Sequence, residues 1–265
     1  MAKQLKKWQG WLLFAGAMVA VFLLGLICSS LLERRAEVAS VFNNRRVQMN
    51  DSIVAQNEKF AEDFPREYQT WAMTEDTTFK SLYNGSQEKD VLEMCPEIVI
   101  IWDGYAFSRE YNTPRGHRHC IEDLRKILRT GSPGVDGQTD MQPGTCWTCK
   151  GPDVPRLMRE KGTNAFYAAK WSDWGDQMMN SVGCSDCHDA RTMELRPARP
   201  ALYEAWARVG KDVRKASHQE MRSLVCAQCH TEYYFEKENG NYLHFPQEKG
   251  LTCEAAEQYY DSIGF

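Results

Sequence analysis

The chain has 265 residues, 43% of them hydrophobic, 26% charged and 11% aromatic, a globular composition with room for one large domain or two smaller ones. A net charge of −4 offers no basic face, which excludes nucleic acid as a partner. Eight Trp, eleven Tyr and eleven Met suit a protein that lines flat apolar cofactors, although ordinary cores use them too.

At the N-terminus, Lys3, Lys6 and Lys7 precede 25 residues without a charge, Trp8 to Leu32, and Glu33-Arg34-Arg35 follows. About 20 apolar residues span a bilayer as a helix, whereas the apolar stretch of a cleavable signal runs to about 7–15. The early lysines favour an N-terminus left in the cytoplasm, with everything after Leu32 outside. Cys28 suggests a lipoprotein, but Ile27 before it is bulky where a small residue is required. An uncleaved anchor is favoured over a long removed signal because no small-x-small site follows; both export the body.

Asn43-Asn44-Arg45-Arg46 reads as a solvated linker ahead of a polar helical stretch at 51–72. The run Ile98-Val99-Ile100-Ile101-Trp102 after Pro96 is too short to assign by period. Residues 119–130 have helical spacing through Ile121, Leu124 and Leu128, and a Gly/Pro/Asp-rich loop then runs to Gly144. Further helices are expected at 155–168, 201–216, 218–227 and 253–262, with few strand signals and no internal repeat. Irregular segments such as 189–199 join them, the pattern of a core built around cofactors with modest helices outside.

Ten cysteines in an exported chain ordinarily mean disulfides, yet six form three Cys-x-x-Cys pairs. Cys95, Cys120 and Cys253 remain unassigned. Cys184-Ser185-Asp186-Cys187-His188 and Cys226-Ala227-Gln228-Cys229-His230 are both C-x-x-C-H. Two thiols at this spacing add to the two vinyl groups of one haem, and the adjacent His reaches the iron. A structural zinc site competes, but zinc does not require His directly after each pair. With 6 His in 265 residues, two of three pairs acquiring one by chance is on the order of one in a thousand.

In the third pair, Cys146-Trp147-Thr148-Cys149-Lys150, lysine occupies the ligand position. Alone, it is equally readable as a disulfide or redox pair beside a solvated charge. Lysine ligates iron only as the neutral amine, so the metal and burial must remove its proton. Such a haem keeps its other face free, and an open position marks a catalytic metal.

C-W-T-C-K resembles the active-site haem motif of the ammonia-forming cytochrome c nitrite reductases, the periplasmic pentahaem family. Similar stretches are GYAFSREYNTPRGH (104–117), LRTG (128–131), CKGPDVPRLM (149–158) and QEMRSLVCAQCHTEYYF (219–235), and the likeness runs from about Pro65 to the last residue. The resemblance implies a mainly α, largely irregular multihaem cytochrome c fold organised around covalent haems, plus one N-terminal transmembrane helix. Its expected parts are residues 1–35 as anchor or signal, 36–64 as lead-in and 65–265 as the haem domain.

The resemblance further implies three covalently attached haem c groups and a calcium ion. It places Arg129 and Tyr233 on the open side of the lysine-ligated haem. A fixed cation there holds anionic nitrite and favours loss of its oxygens as water, and a phenol donates hydrogen bonds or protons. A helix-end Arg in an ion pair and a core Tyr packed on haem are the plain alternatives. Glu232, through its carboxylate, and Tyr233, through its carbonyl, correspond to calcium ligands. His188 and His230 are axial ligands of relay haems. His117 is the expected second ligand of the Cys226/Cys229 haem, with His119 its rival, while His218 and His244 receive no role.

Family chains are nearly twice as long, with two further C-x-x-C-H motifs, an active-site His and long C-terminal helices that make a homodimer. The sequence is therefore expected to represent the N-terminal half of such an enzyme, with weak turnover by itself. The implied partners are nitrite and a membrane quinol-oxidising cytochrome as electron donor. The implied location is the periplasm, tethered at the inner membrane. A membrane-anchored electron carrier without catalysis, or an inactive fragment, is the competing function; a pure carrier is expected to use C-x-x-C-H throughout.

Overall fold

The computed structural model describes residues 6–43, 47–78, 82, 86–104, 108, 110–127 and 142–264. The chain divides into two units, residues 1–46 and 47–265. In the first, α1 (Lys7–Asn43) is one 37-residue helix. Within its segment Lys7–Ala39 an 18-residue stretch has a mean hydropathy of 2.5, and the helix is long and apolar enough to cross a membrane. The helix overruns residue 35 because nothing from Glu33 to Phe42 breaks it; that stretch holds no Gly or Pro.

The second unit is a string of short helices. A 3₁₀ turn at Asn57–Phe60 leads to α2 (Pro65–Ala72), where Pro occupies the first turn and lacks only an N–H the helix cannot use. Next come α3 (Val91–Met94), capped by the Asp90 carboxylate, and α4 (Ile98–Ile101). A 3₁₀ turn at His117–His119 runs into α5 (Cys120–Lys126). Then follow α6 (Asp153–Lys161), α7 (Thr163–Ala168), α8 (Trp171–Gly175) and α9 (Cys184–Cys187). The last are α10 (Pro200–Arg208), α11 (His218–Ala227) and α12 (Cys253–Ile263). Between α11 and α12, β1 (Tyr234–Glu236) pairs antiparallel with β2 (Tyr242–His244), Phe235 opposite Leu243.

Local chemistry sets several boundaries. The Ser217 hydroxyl accepts from the Glu220 N–H at 3.3 Å while the Glu220 carboxylate accepts from the Ser217 N–H at 2.9 Å, a reciprocal cap that starts α11 where expected. The helix expected over 155–168 is instead two, because Gly162 sits at φ +90 between α6 and α7, and only glycine takes that conformation cheaply. The helix expected over 201–216 stops at Arg208, with a separate 3₁₀ turn at Val213–Lys215. Of the stretch expected as helix over 51–72, only α2 and the preceding 3₁₀ turn are helical.

The core is aromatic. Trp147 and Trp171 stack at 4.6 Å between ring centroids, and Phe166 stacks on Trp174 at 5.5 Å. Val154, Leu157 and Met158 of α6, Ala201 and Leu202 of α10, and Leu224 of α11 close around them. Each fully buried large apolar side chain here contributes about 1.5–3 kcal/mol. This core lies directly behind the first cysteine pair, since Trp147 is one of the two residues inside it.

Candidate active site

The Cys146–Cys149 turn is held from inside. A 3₁₀ turn spans Gly144–Trp147. The Thr145 hydroxyl donates to the Asn241 carbonyl at 2.7 Å, and the Thr148 hydroxyl to the Thr145 carbonyl at 2.6 Å. The indole N–H of Trp147 donates to the Trp171 carbonyl at 2.9 Å. Gly151 follows immediately; a Cβ there would lie 1.9 Å from the Asn180 carbonyl oxygen, so the chain can pass only without a side chain. Lys150 is half-buried, and among the described residues its amine makes no ion pair or hydrogen bond. Its carbonyl accepts from the Cys120 thiol at 3.1 Å, which gives Cys120 a structural place.

At the second pair, the Ser185 hydroxyl accepts from the Val54 N–H at 2.9 Å and the Asn57 side chain accepts from the Cys184 N–H at 2.9 Å. The His188 ring donates through Nδ1 to the Met193 carbonyl at 2.8 Å, which leaves Nε2 as the free lone pair. Met193 takes φ +62 to aim that carbonyl, a backbone conformation that costs roughly 1–2 kcal/mol for a residue with a side chain.

At the third pair, His230 faces His117 with ring centroids 6.2 Å apart and planes inclined by 44°. A metal–imidazole bond is about 2.0 Å and a ring centroid lies about 1.1 Å behind its nitrogen, so two imidazoles on opposite sides of one metal stand about 6.2 Å apart. The spacing therefore fits one iron between the rings. Neither ring is hydrogen-bonded among the described residues. Burial first, and then the neighbouring His230, hold His117 below its usual pKa, which favours the neutral form a metal needs. His119 is occupied otherwise: its Nε2–H donates to the Glu75 carbonyl at 2.9 Å and its Nδ1 is 3.4 Å from the Glu122 carboxylate.

The three turns converge. The thiol of Cys149 reaches the Cys229 carbonyl at 3.9 Å, and that of Cys187 reaches the Val225 carbonyl, next to Cys226, at 3.9 Å. Cys229 hydrogen-bonds to the Cys149 sulfur, drawing Cys149 down to about 7 and pushing Cys229 well up, because the pair gives up one proton easily and holds the second. Burial, reinforced by Asp186, pushes Cys184 up to about 11 and Cys187 to about 12. All six are free thiols.

The residue that ties the turns together has no signal in the sequence. Arg199, fully buried, donates from Nε to the Thr148 carbonyl at 2.5 Å and from Nη2 to the Gly151 carbonyl at 3.0 Å. The same Nη2 donates to the Asp186 carboxylate at 2.6 Å. Gln228 completes the knot, donating to the Asp186 carbonyl at 2.7 Å and accepting from the Arg199 N–H at 3.2 Å. Thr148, Asp186 and Gln228 are each the second inner residue of a Cys-x-x-Cys pair.

Of the other expected residues, Arg129 lies outside the described residues. Tyr233 is 47% exposed and stacks on Phe235 at 5.6 Å. Glu232 is exposed beside Tyr260. Together they offer two of the six to eight oxygens calcium takes, and no group of three or more His, Cys, Asp or Glu that could hold a metal ion occurs among the described residues. His244 is buried between Glu236, 3.0 Å from Nε2, and Glu248, 2.7 Å from Nδ1, at the edge of a cavity of about 540 Å³.

The family model described as cytochrome c552 matches residues 56–265. A cytochrome c-552 of Bacteroides thetaiotaomicron is 60% identical over 267 residues, covering 100% of this chain and 53% of that protein. One of Parabacteroides distasonis is 58% identical over 265 residues, again covering 100% of this chain and 53% of the relative. The chain thus spans about half the length of the curated relatives it matches. The structure of a cytochrome c nitrite reductase from Desulfovibrio desulfuricans, a catalytic subunit described with two calcium sites, superposes with a TM-score of 0.69 at 32% identity. The match covers 78% of this chain and 46% of that one. A mostly helical, irregular body with this likeness has the multihaem cytochrome fold, and the chain belongs to the cytochrome c552 family.

Proposed function

We propose that this chain carries three covalent c-type haems and forms the lysine-ligated centre and part of the relay of an ammonia-forming nitrite reductase. The observation that carries the reading is Lys150. It stands directly after a Cys-x-x-Cys turn, where the other two turns have His188 and His230; the residue is half-buried, and its amine has no competing partner among the described residues. When bound, the haems supply electron relay and an iron at which the anion gains electrons. Cys146/Cys149, Cys184/Cys187 and Cys226/Cys229 provide the thioether bonds. Lys150 would offer its amine to the first iron, His188 its Nε2 to the second, and His230 with His117 their imidazoles to the third.

Arg129 holds the anion by charge and Tyr233 delivers hydrogen bonds or protons from its phenol, in a reduction that consumes six electrons as nitrogen passes from +3 to −3. Glu232 and the Tyr233 carbonyl contribute two oxygens to a calcium site that fixes the phenol. Residues 1–35 anchor or export the chain, 36–64 lead into the haem domain at 65–265, and the body works in the periplasm. The electron donor is a membrane quinol-oxidising cytochrome, and the assembly is a homodimer.

The test is haem content together with nitrite-dependent oxidation of a reduced viologen dye. Three haems per chain with nitrite-dependent oxidation that Lys150→His abolishes is the expected result. The 6.2 Å His117–His230 spacing favours a relay, so a carrier without catalysis is the second reading. It prevails if the fully loaded protein passes electrons but never consumes nitrite. Fewer than three haems overturns both.

A further inference from the structure

Arg199 and Asp186 form a charge pair whose side chains are 0% and 3% exposed. The pair lies among all three Cys-x-x-Cys turns, touching Thr148 of the first, containing Asp186 of the second and bonding through Gln228 to the third. Its compensation is incomplete, since Nη1 of Arg199 is buried without a hydrogen-bond partner among the described residues. Arginine cannot lose its proton in a protein, so this is a permanent charge in a region of low dielectric, where charges act strongly on their neighbours. If hydrogen bonding were its whole purpose, neutral groups could hold the same turns without the cost of burying two ions.

Resting on the haem attachment proposed above, we infer that Arg199 and Asp186 are positioning residues that set the reduction potentials of all three haems in opposite senses. Reduction removes one positive charge from a haem iron, so a nearby fixed cation favours the reduced form and a nearby carboxylate the oxidised one. The reach of the pair follows from its place. The Arg199 guanidinium donates to the carbonyls of Thr148 and Gly151, which flank Cys149 and Lys150. Asp186 directly precedes Cys187, and Gln228, which bonds the Asp186 carbonyl, directly precedes Cys229.

The experiment is a spectroelectrochemical titration of the haem-loaded full chain as wild type, Asp186→Asn, Arg199→Gln and the double variant. Asp186→Asn keeps the size of the side chain and leaves Arg199 uncompensated, so the midpoint potentials of all three haems shift upward. Arg199→Gln shifts them downward, and the double variant returns them toward wild type. A purely structural role predicts no such sign reversal, and a double variant at least as far from wild type as either single one. Unmoved potentials in a fully loaded Asp186→Asn protein overturn the inference. Should that variant fail to load, the step from Arg199→Gln to the double variant must raise the potentials, or the inference falls. A wild-type count below three haems instead overturns the attachment reading itself, which separates the two failures.

Discussion

The buried knot around Arg199 and the outward edge at Glu232–Tyr233 belong to the same 47–265 unit but are built on opposite terms. In the knot, Arg199 and Asp186 use most of their hydrogen-bonding capacity and the neighbouring Thr148 and Gln228 are also buried, so each residue is fixed by partners distant in sequence. At the edge, Tyr233 is 47% exposed and Glu232 is exposed too. Attachment of a rigid macrocycle needs turns that do not move; capture and release of a small anion needs a side that stays open. On the function proposed above, the difference teaches that fixing the cofactors and handling the substrate fall to separate sets of residues.

Substitutions can break or sharpen that contrast. The largest effect is expected from Arg199→Met, which leaves Asp186 buried without its counter-charge and costs about 3–5 kcal/mol, read as a fall in Tm and in haem content. Next comes a pair of histidines two residues apart. His119→Ala leaves the Glu75 carbonyl unpaired and costs about 1–3 kcal/mol with the haem spectrum unchanged. His117→Ala does the reverse, converting one six-coordinate low-spin haem to a high-spin form with a smaller loss of stability.

Smaller still is the ion pair of Asp51 with Arg159, 2.8 Å apart at the surface. A hydrogen bond from Arg159 holds Asp51 down at about 2 from an ordinary 3.8. A carboxyl lowered by folding contributes stability above its unfolded pKa and loses it as pH falls, so this contribution is intact above pH 4 and fades toward pH 2. Being solvent-exposed, it is worth under about 1 kcal/mol; Asp51→Asn should flatten acid unfolding in that window by no more than this. Last, Tyr233→Phe should leave stability within about 0.5 kcal/mol of wild type while lowering nitrite turnover. A large drop in Tm there would mean the edge is structural after all.

What could be read from the sequence was local. The cysteine pairs, α11 and α12 each carry their signal within about ten residues, and the apolar N-terminal helix carries its own in one uninterrupted run. The short hairpin of β1 and β2 went unseen because three-residue strands give period-2 alternation no length to show itself. Arg199 was invisible for a different reason. It lies between Ala198 and Pro200 in a stretch with no pattern, and its partners are 13, 48 and 51 residues away. The preference for His117 over His119 came from resemblance, and a physical reason appears only in the structure: one ring is satisfied by Glu75 while the other faces His230.

The closeness of Cys149 and Cys229 has a consequence for how such a chain matures. A thiol that ionises near neutral pH is at its best as an attacking nucleophile, and here a second sulfur lies within its reach. On the proposed attachment and location, an oxidant acting on these two thiols would cross-link the wrong turns and close both to porphyrin. Biogenesis would then be a race between thioether formation and adventitious oxidation, and the close packing of the two turns is what would make that race hazardous.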